Sequence, residues 1–248
     1  MSRLSLTTLS GIPEIAIGDN LGAILAEAGG PLRHGDVIAV AQKIVSKAEG
    51  RIVDLSGIEP SAQALKLAAI SGKRPELVEL ILRQSEEVVR CTRDVLIVRH
   101  KLGFVVANAA IDQSNVQGED CALLLPEDPD RSATELRAAL RERTGADVAV
   151  LIIDSFGRAW REGVCGMCIG VAGLTPLIDE RGMPDRFGRP LQATQIAVGD
   201  ELAAAASLMM GQAAEGTPAV LIRGAASRWL GDGRTSDLIR PKVRDLFQ

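Results

Sequence analysis

Two adjacent segments, SATELRAALRERTG (132–145) and DVAVLIID (147–154), constrain the fold more than any other stretch of the chain. In the first, Ser132 and Glu135 have the spacing of a capping box, and Gly145 stands where a helix C-cap belongs, so a helix is predicted over 132–145. In the second, six apolar residues, Val148 to Ile153, run without interruption into Asp154. Such a run reads as a buried strand. Asp154 is expected to end it and to place its carboxylate at a sheet edge, where ligand sites of α/β proteins tend to form.

The same signals recur along the chain. DVIAVAQKIV (36–45) begins as a strand after Gly35–Asp36, SKAEGR (46–51) reads as a polar turn ended by Gly50, and a short strand follows near 51–55. Between Pro60 and Val89 the apolar spacing is helical, split by Gly72 and Pro75. VLIVRH (95–100) and FVVANA (104–109) read as paired strands, 199–210 as a helix and PAVLIRG (218–224) as a strand. Helices and strands mix without a regular βαβ rhythm. The class is α/β or mixed α+β, in one lobe or two, and these patterns leave both open.

Composition excludes some functions. The net charge is −4, and no Lys/Arg block is present, which argues against nucleic acid as the main partner. An aromatic content of 2% with no tyrosine argues against a base-stacking platform. The first residues lack the apolar core of a signal peptide, and the most apolar helical stretch, LAAAASLMM (202–210), is about half of what a membrane span requires. A cytoplasmic protein with no membrane partner is expected. Cys91, Cys121, Cys165 and Cys168 are too few for a disulfide framework.

There is no GxxxxGK[ST] phosphate loop and no GxGxxG fingerprint. The glycine-rich stretch GVCGMCIGVAG (163–173) could cradle a phosphate or serve close packing; packing is the commoner use. Within it, Cys165 and Cys168 lack the further spaced ligands of a zinc site and the setting of a redox pair, so they read as buried and inert.

Oxygen ligands and cations form a more suggestive set. Asp154 with Ser155, and Asp112 with Gln113, Ser114 and Asn115, follow apolar runs. Each acid alone could be a turn cap. Together they make the hard-oxygen set that Mg²⁺ or Mn²⁺ prefers, usually completed by phosphate oxygens. Lys43 and Lys47 follow the first long strand, and Arg158 and Arg161 follow Asp154; cations so placed suit phosphate or substrate anions, or else a solvated ion-pair rim.

AQKIVSKAEGR, GFVVANAAIDQSNV, IIDSFGRAWREG, DRFGRPL and MMGQAAEGTPAVLIRG, in that order, resemble the coenzyme F420-0:L-glutamate ligase (γ-glutamyl ligase) family, from about residue 11 to 224. The resemblance implies a two-lobed mixed α/β catalytic region over about 10–240, without the added reductase-like domain of some larger relatives, and a homodimer. It implies GTP-dependent attachment of L-glutamate to the deazaflavin F420-0, first at the phospholactyl carboxylate and then through a γ-linkage. Two divalent cations, Mg²⁺ or Mn²⁺, and K⁺ stimulation come with it. It places metal ligands at Asp112, Asp154, Ser155 (threonine in relatives) and Gln212, where archaeal relatives carry the acid of an MGE motif. It places nucleotide contacts at Ile12, Pro13, Glu14 and Ile15, at Gln42, Lys43, Lys47 and Asn115, and along Met210, Gly211, Gln212, Ala213, Ala214, Glu215, Gly216 and Thr217. No acid or base residue is assigned. The alternative is the same carboxylate–amine ligation with a different acceptor or amino acid.

Overall fold

The computed structural model describes residues 3–245 except 117 and 119. The elements are β1 (Ser5–Thr8), α1 (Leu21–Gly29), β2 (Val37–Ala41), α2 (Gln42–Ala48), β3 (Ile52–Asp54), α3 (Ala62–Ser71), α4 (Pro75–Arg83), β4 (Ser85–Thr92), β5 (Val95–His100) and β6 (Val105–Ala107). They continue with β7 (Cys121–Leu123), α5 (Pro129–Thr144), β8 (Ala149–Arg158), β9 (Arg161–Ala172), β10 (Ile178–Asp179), β11 (Gln195–Ile196), α6 (Val198–Met210) and β12 (Ala219–Arg223). The fold is mixed α/β.

A five-stranded sheet, ordered β1-β12-β2-β8-β9, forms the main body. Only β2 and β8 are parallel in it. Both faces are covered, which explains why β8 reads as a continuous apolar run. Val150 and Ile152 pack with Leu25 of α1 and Leu136 and Leu140 of α5. Ala149, Leu151 and Ile153 pack with Leu202, Ala203 and Ala206 of α6.

A second group of elements packs on its own apolar clusters. The antiparallel meander β4-β5-β6 is covered by α3 and α4 through Ala64, Ala68, Val78, Ile81, Leu96 and Val98. The β3–β7 pair joins α4 through Leu80, Ala122 and Leu124. Phe104 and Phe156 meet edge to face, with centroids 5.8 Å apart, between this group and β8.

Several predicted boundaries move. SKA (46–48) belongs to α2, because the chain enters the helix directly from Ala41 and Ser46 donates to Gln42 Oε1 at 2.8 Å within it; the turn begins at Glu49–Gly50. The helical stretch ends at Arg83, and residues 85–89 start β4. Helix α5 begins at Pro129 with Asp128 as N-cap, its carboxylate accepting from Arg131 N–H. Ser132 lies inside the helix and its hydroxyl donates to the carbonyl of Asp128, so no capping box forms there.

Two corrections bear on the site. Strand β8 does not stop at Asp154 but continues to Arg158, with Asp154 paired to Met167 and Ser155 to Gly166. The glycine-rich segment is β9, not a phosphate loop. A Cβ on Gly166 would lie 2.4 Å from the Ala203 carbonyl oxygen, and one on Gly170 would lie 2.5 Å from that of Pro129. These glycines let α6 and α5 press against the strand. Among the described residues no helix is long and apolar enough to cross a membrane.

Candidate functional site

The parallel register of β2 and β8 builds the site. Ala41 pairs with Ile153, so the C-terminal end of β2 lies beside the middle of β8. The next residues are Gln42 and Lys43, which open α2, and Asp154 and Ser155, which continue β8. Crossing between the two parallel strands puts acid, hydroxyl, amide and cation at one edge, the usual location for a ligand in such sheets.

A cleft of about 370 Å³ opens there. It is walled by Ile12 to Ile15, by Gln42, Lys43 and Lys47 of α2, by Asn115, and by Met210 to Pro218 after α6. Asp154 and Ser155 form part of its floor. All the nucleotide-contact candidates line this cleft, together with three of the four metal candidates. Asp112 stands just behind Lys43, its Oδ2 2.6 Å from Lys43 Nζ. Arg158 and Arg161 are not among the lining residues: the longer β8 carries them to the β8–β9 turn, where Arg158 donates to the carbonyl of Glu162 at 3.1 Å.

Sequence reading missed Ala41, Ile44, Ile153, Ser207 and Pro218, which also line the cleft. Ser207 had a signal: it lies three residues before Met210 in α6, hence on the same helix face. Its hydroxyl accepts a hydrogen bond from Gln212 Nε2 at 2.8 Å.

Each wall has a local cause. Thr217 donates its hydroxyl to the Met210 carbonyl at 2.8 Å and closes the 211–217 loop at its base. Glu215 accepts from Ala213 N–H at 2.8 Å, and Gly211 takes φ +75° with the Glu215 carboxyl so near that a Cβ would overlap it. Asn108, Ala109 and Ala110 take φ of +53°, +53° and +54° in succession before Asp112. Non-glycine residues held there cost about 1–2 kcal/mol each, so surrounding packing must fix the turn. Ala109 is fully buried in the α3–α4 cluster. Asp112 then pairs with Leu123 and accepts from Ser114 N–H at 2.7 Å through Oδ1.

The electrostatics set two acids apart. Burial works against ionisation of Asp112, but hydrogen bonds from Lys43 and Ser114, with the Lys43 charge, outweigh it and hold its pKa below the usual value. Burial pushes Asp154 up to about 7; the Ser155 N–H opposes this, the Asp112 charge adds to it, and the Lys43 charge opposes it. Lys43 also donates to Ser114 Oγ at 2.8 Å. Lys47 is paired with Glu14 of the opposite wall.

The donor set fits a hard divalent ion on stated terms. Among the described residues no three His, Cys, Asp or Glu side chains are grouped to hold a metal. Two mutually repelling carboxylates, one hydroxyl and one amide leave a coordination shell to be completed by water and a ligand's own oxygens. Mg²⁺ is commonly bound in that way, by few carboxylates plus phosphate. Cys168 is buried and its thiol is pushed up by that burial, so it stays protonated and offers no thiolate.

The sequence matches the model of the F420-0:gamma-glutamyl ligase family over residues 11–224. A protein of Methanothermobacter thermautotrophicus named coenzyme F420:L-glutamate ligase is 47% identical over 99% of both chains. Its namesake in Methanopyrus kandleri is 48% identical over 93% of this chain and 92% of the relative. That of Archaeoglobus fulgidus is 40% identical over 99% and 97%.

Proposed function

The chain belongs to the F420-0:gamma-glutamyl ligase family, and on that footing we propose that it joins L-glutamate to coenzyme F420-0 with GTP as the phosphoryl donor. The observation that carries the reading is convergence. Segments 12–15, 42–47, 115, 154–155 and 210–217 are remote in sequence yet wall one cleft.

A carboxylate does not condense directly with an amine, because oxide is not a leaving group. In the proposed reaction an acceptor carboxylate oxygen bonds to the γ-phosphorus of GTP while the bond from that phosphorus to the β,γ-bridging oxygen breaks. GDP departs, leaving an acyl phosphate. The glutamate amine attacks the acyl carbon, the carbon–oxygen bond to phosphate breaks, and the amine proton passes to phosphate or water. No protein nucleophile is required. Repetition on the new terminal glutamate gives the γ-linkage.

The chain's contribution is placement and charge. The loop 12–15, Asn115 and the 210–217 loop would enclose the nucleotide. Lys43 and Lys47 would meet phosphate oxygens once released from Asp112 and Glu14. Asp112, Asp154, Ser155 and Gln212 would hold two divalent ions, which when bound offset charge on the transferring phosphoryl group. Arg158 and Arg161, outside the cleft, are left with a substrate role only if the acceptor extends along the hairpin. A homodimer belongs to the same reading.

Incubation of the purified protein with F420-0, GTP, Mg²⁺ and L-glutamate, followed by mass spectrometry, tests the assignment. The expected product is F420-0 heavier by one glutamyl residue or more, with stoichiometric GDP and phosphate. Glutamylation absent here, but ligation present with another acid or amino acid, would move the activity to the alternative substrate pair.

A further inference from the structure

We propose that Lys43 is a built-in counter-cation that holds Asp112 in the ion-free protein and must be displaced for a divalent ion to bind. The inference rests on the ion-dependent reading above and adds a competition that the reading does not require.

The geometry is specific. The Lys43 ammonium lies 2.6 Å from Asp112 Oδ2 and 2.8 Å from Ser114 Oγ. The other carboxylate oxygen of Asp112 is taken by the Ser114 N–H at 2.7 Å. Oδ1 keeps a second lone pair beside that N–H, but Oδ2 faces the ammonium, so an ion that meets Asp112 through Oδ2 competes directly with Lys43. The Lys43 charge also reaches Asp154, so one side chain offsets both acids. Neither partner is fully solvated: the side chains of Lys43 and Asp112 are 29% and 26% exposed.

Position explains where the ammonium goes. Lys43 sits in the first turn of α2 and also lines the cleft, so the same flexible side chain is placed to turn from Asp112 toward the space expected to hold phosphate. A phosphate then gives the displaced cation a new partner. Binding of the ion and of the phosphate group is coupled through this side chain, and the coupling acts equally in both directions. Lys47 is the internal comparison, a cation in the same cleft that is bonded instead to Glu14.

The test is calorimetric titration with Mn²⁺, without nucleotide, of the intact wild-type protein and of Lys43→Met, Lys43→Arg and Lys47→Met. Removing the competitor in Lys43→Met is expected to tighten Mn²⁺ binding by about tenfold, the scale of one charge-assisted hydrogen bond. Lys43→Arg, which keeps the charge, should stay near wild type. Lys47→Met should tighten far less. Circular dichroism of each variant establishes that it is folded. Unchanged or weaker Mn²⁺ binding in folded Lys43→Met, or equal tightening in Lys47→Met, overturns the proposal while leaving the ligase reading intact. Absence of Mn²⁺ binding in every protein, with or without a GTP analogue, overturns both.

Discussion

The side-chain amide of Gln212 donates to the hydroxyl of Ser207 at 2.8 Å, from the loop back to the last turns of α6. With its nitrogen so engaged, and with no donor to its carbonyl oxygen among the described residues, the neutral amide can act as a directed oxygen donor.

Gln212→Glu should strengthen divalent-ion binding, by about tenfold if the new carboxylate enters the coordination shell. Ser207→Ala should weaken it several-fold, because the amide loses the partner that orients it. Mn²⁺ titration of both variants checks this. An ion affinity indifferent to both substitutions would remove Gln212 from the ligand set.

Proton competition follows from the Asp154 value of about 7. An ion requires the ionised carboxylate, so below pH 7 a proton must be expelled first and affinity should fall by about tenfold per pH unit. Above pH 7 it should level off. Asp154→Asn should abolish ligation, leave the protein folded and remove this dependence. Near-normal turnover in Asp154→Asn would contradict its role.

Stability in the absence of divalent ions should show two opposing linkages. Asp154 has a folded pKa raised from 3.8 to about 7, so its contribution is full below pH 3.8 and is lost as pH rises through 7. His100 is lowered from 6.5 to about 4, by burial first and then by the charges of Lys101 and Arg51. Its contribution is present above pH 6.5 and is lost as pH falls through 4. Between pH 4 and 6.5 the two nearly cancel. Relative to wild type, Asp154→Asn should gain stability with rising pH by up to about 1.4 kcal/mol per unit, and His100→Gln should lose it at the same rate. Denaturant midpoints at pH 4.5, 5.5 and 6.5 would reveal parallel behaviour if either group is normal.

Gly166→Ala distinguishes packing from phosphate binding in the glycine-rich strand. The new methyl would meet the Ala203 carbonyl oxygen at 2.4 Å and Ser207 Cβ at 2.6 Å, costing about 2–3 kcal/mol as α6 is pushed away. Gly163→Ala meets open space at φ +77° and should cost about 1 kcal/mol. Thermal melts should rank the pair in that order. Equal melting temperatures, with nucleotide affinity lost in both, would revive the phosphate-loop reading.

The buried strand 148–153 was legible because burial on two faces leaves an uninterrupted apolar run, and the α5 C-cap because Gly145 takes φ +73° there. The end of β8 was not legible. Polar residues after Ile153 read as a turn, yet they continue the ladder because β9 supplies partners, and pairing across a hairpin leaves no local mark on one strand. The helix α2 was hidden for a related reason, since Ala41 caps it without a side-chain signal. Asp112 and Asp154 were each recognisable as acids after apolar runs. Their approach depends on the β2–β8 register and on a left-handed turn at 108–110, which no local pattern predicts for alanines. Residue chemistry grouped the two acids as one oxygen-ligand set, and the motif resemblance added Gln212 and the nucleotide contacts.

Whether Asp112 and Asp154 seat divalent ions against a nucleotide is tested most directly by anomalous diffraction from a crystal grown with Mn²⁺ and a non-hydrolysable GTP analogue. Manganese peaks are expected between Asp112 and Asp154, with phosphates reaching them from the cleft between α2 and the 210–217 loop. Manganese elsewhere, with those carboxylates turned away from the bound nucleotide, would contradict that role.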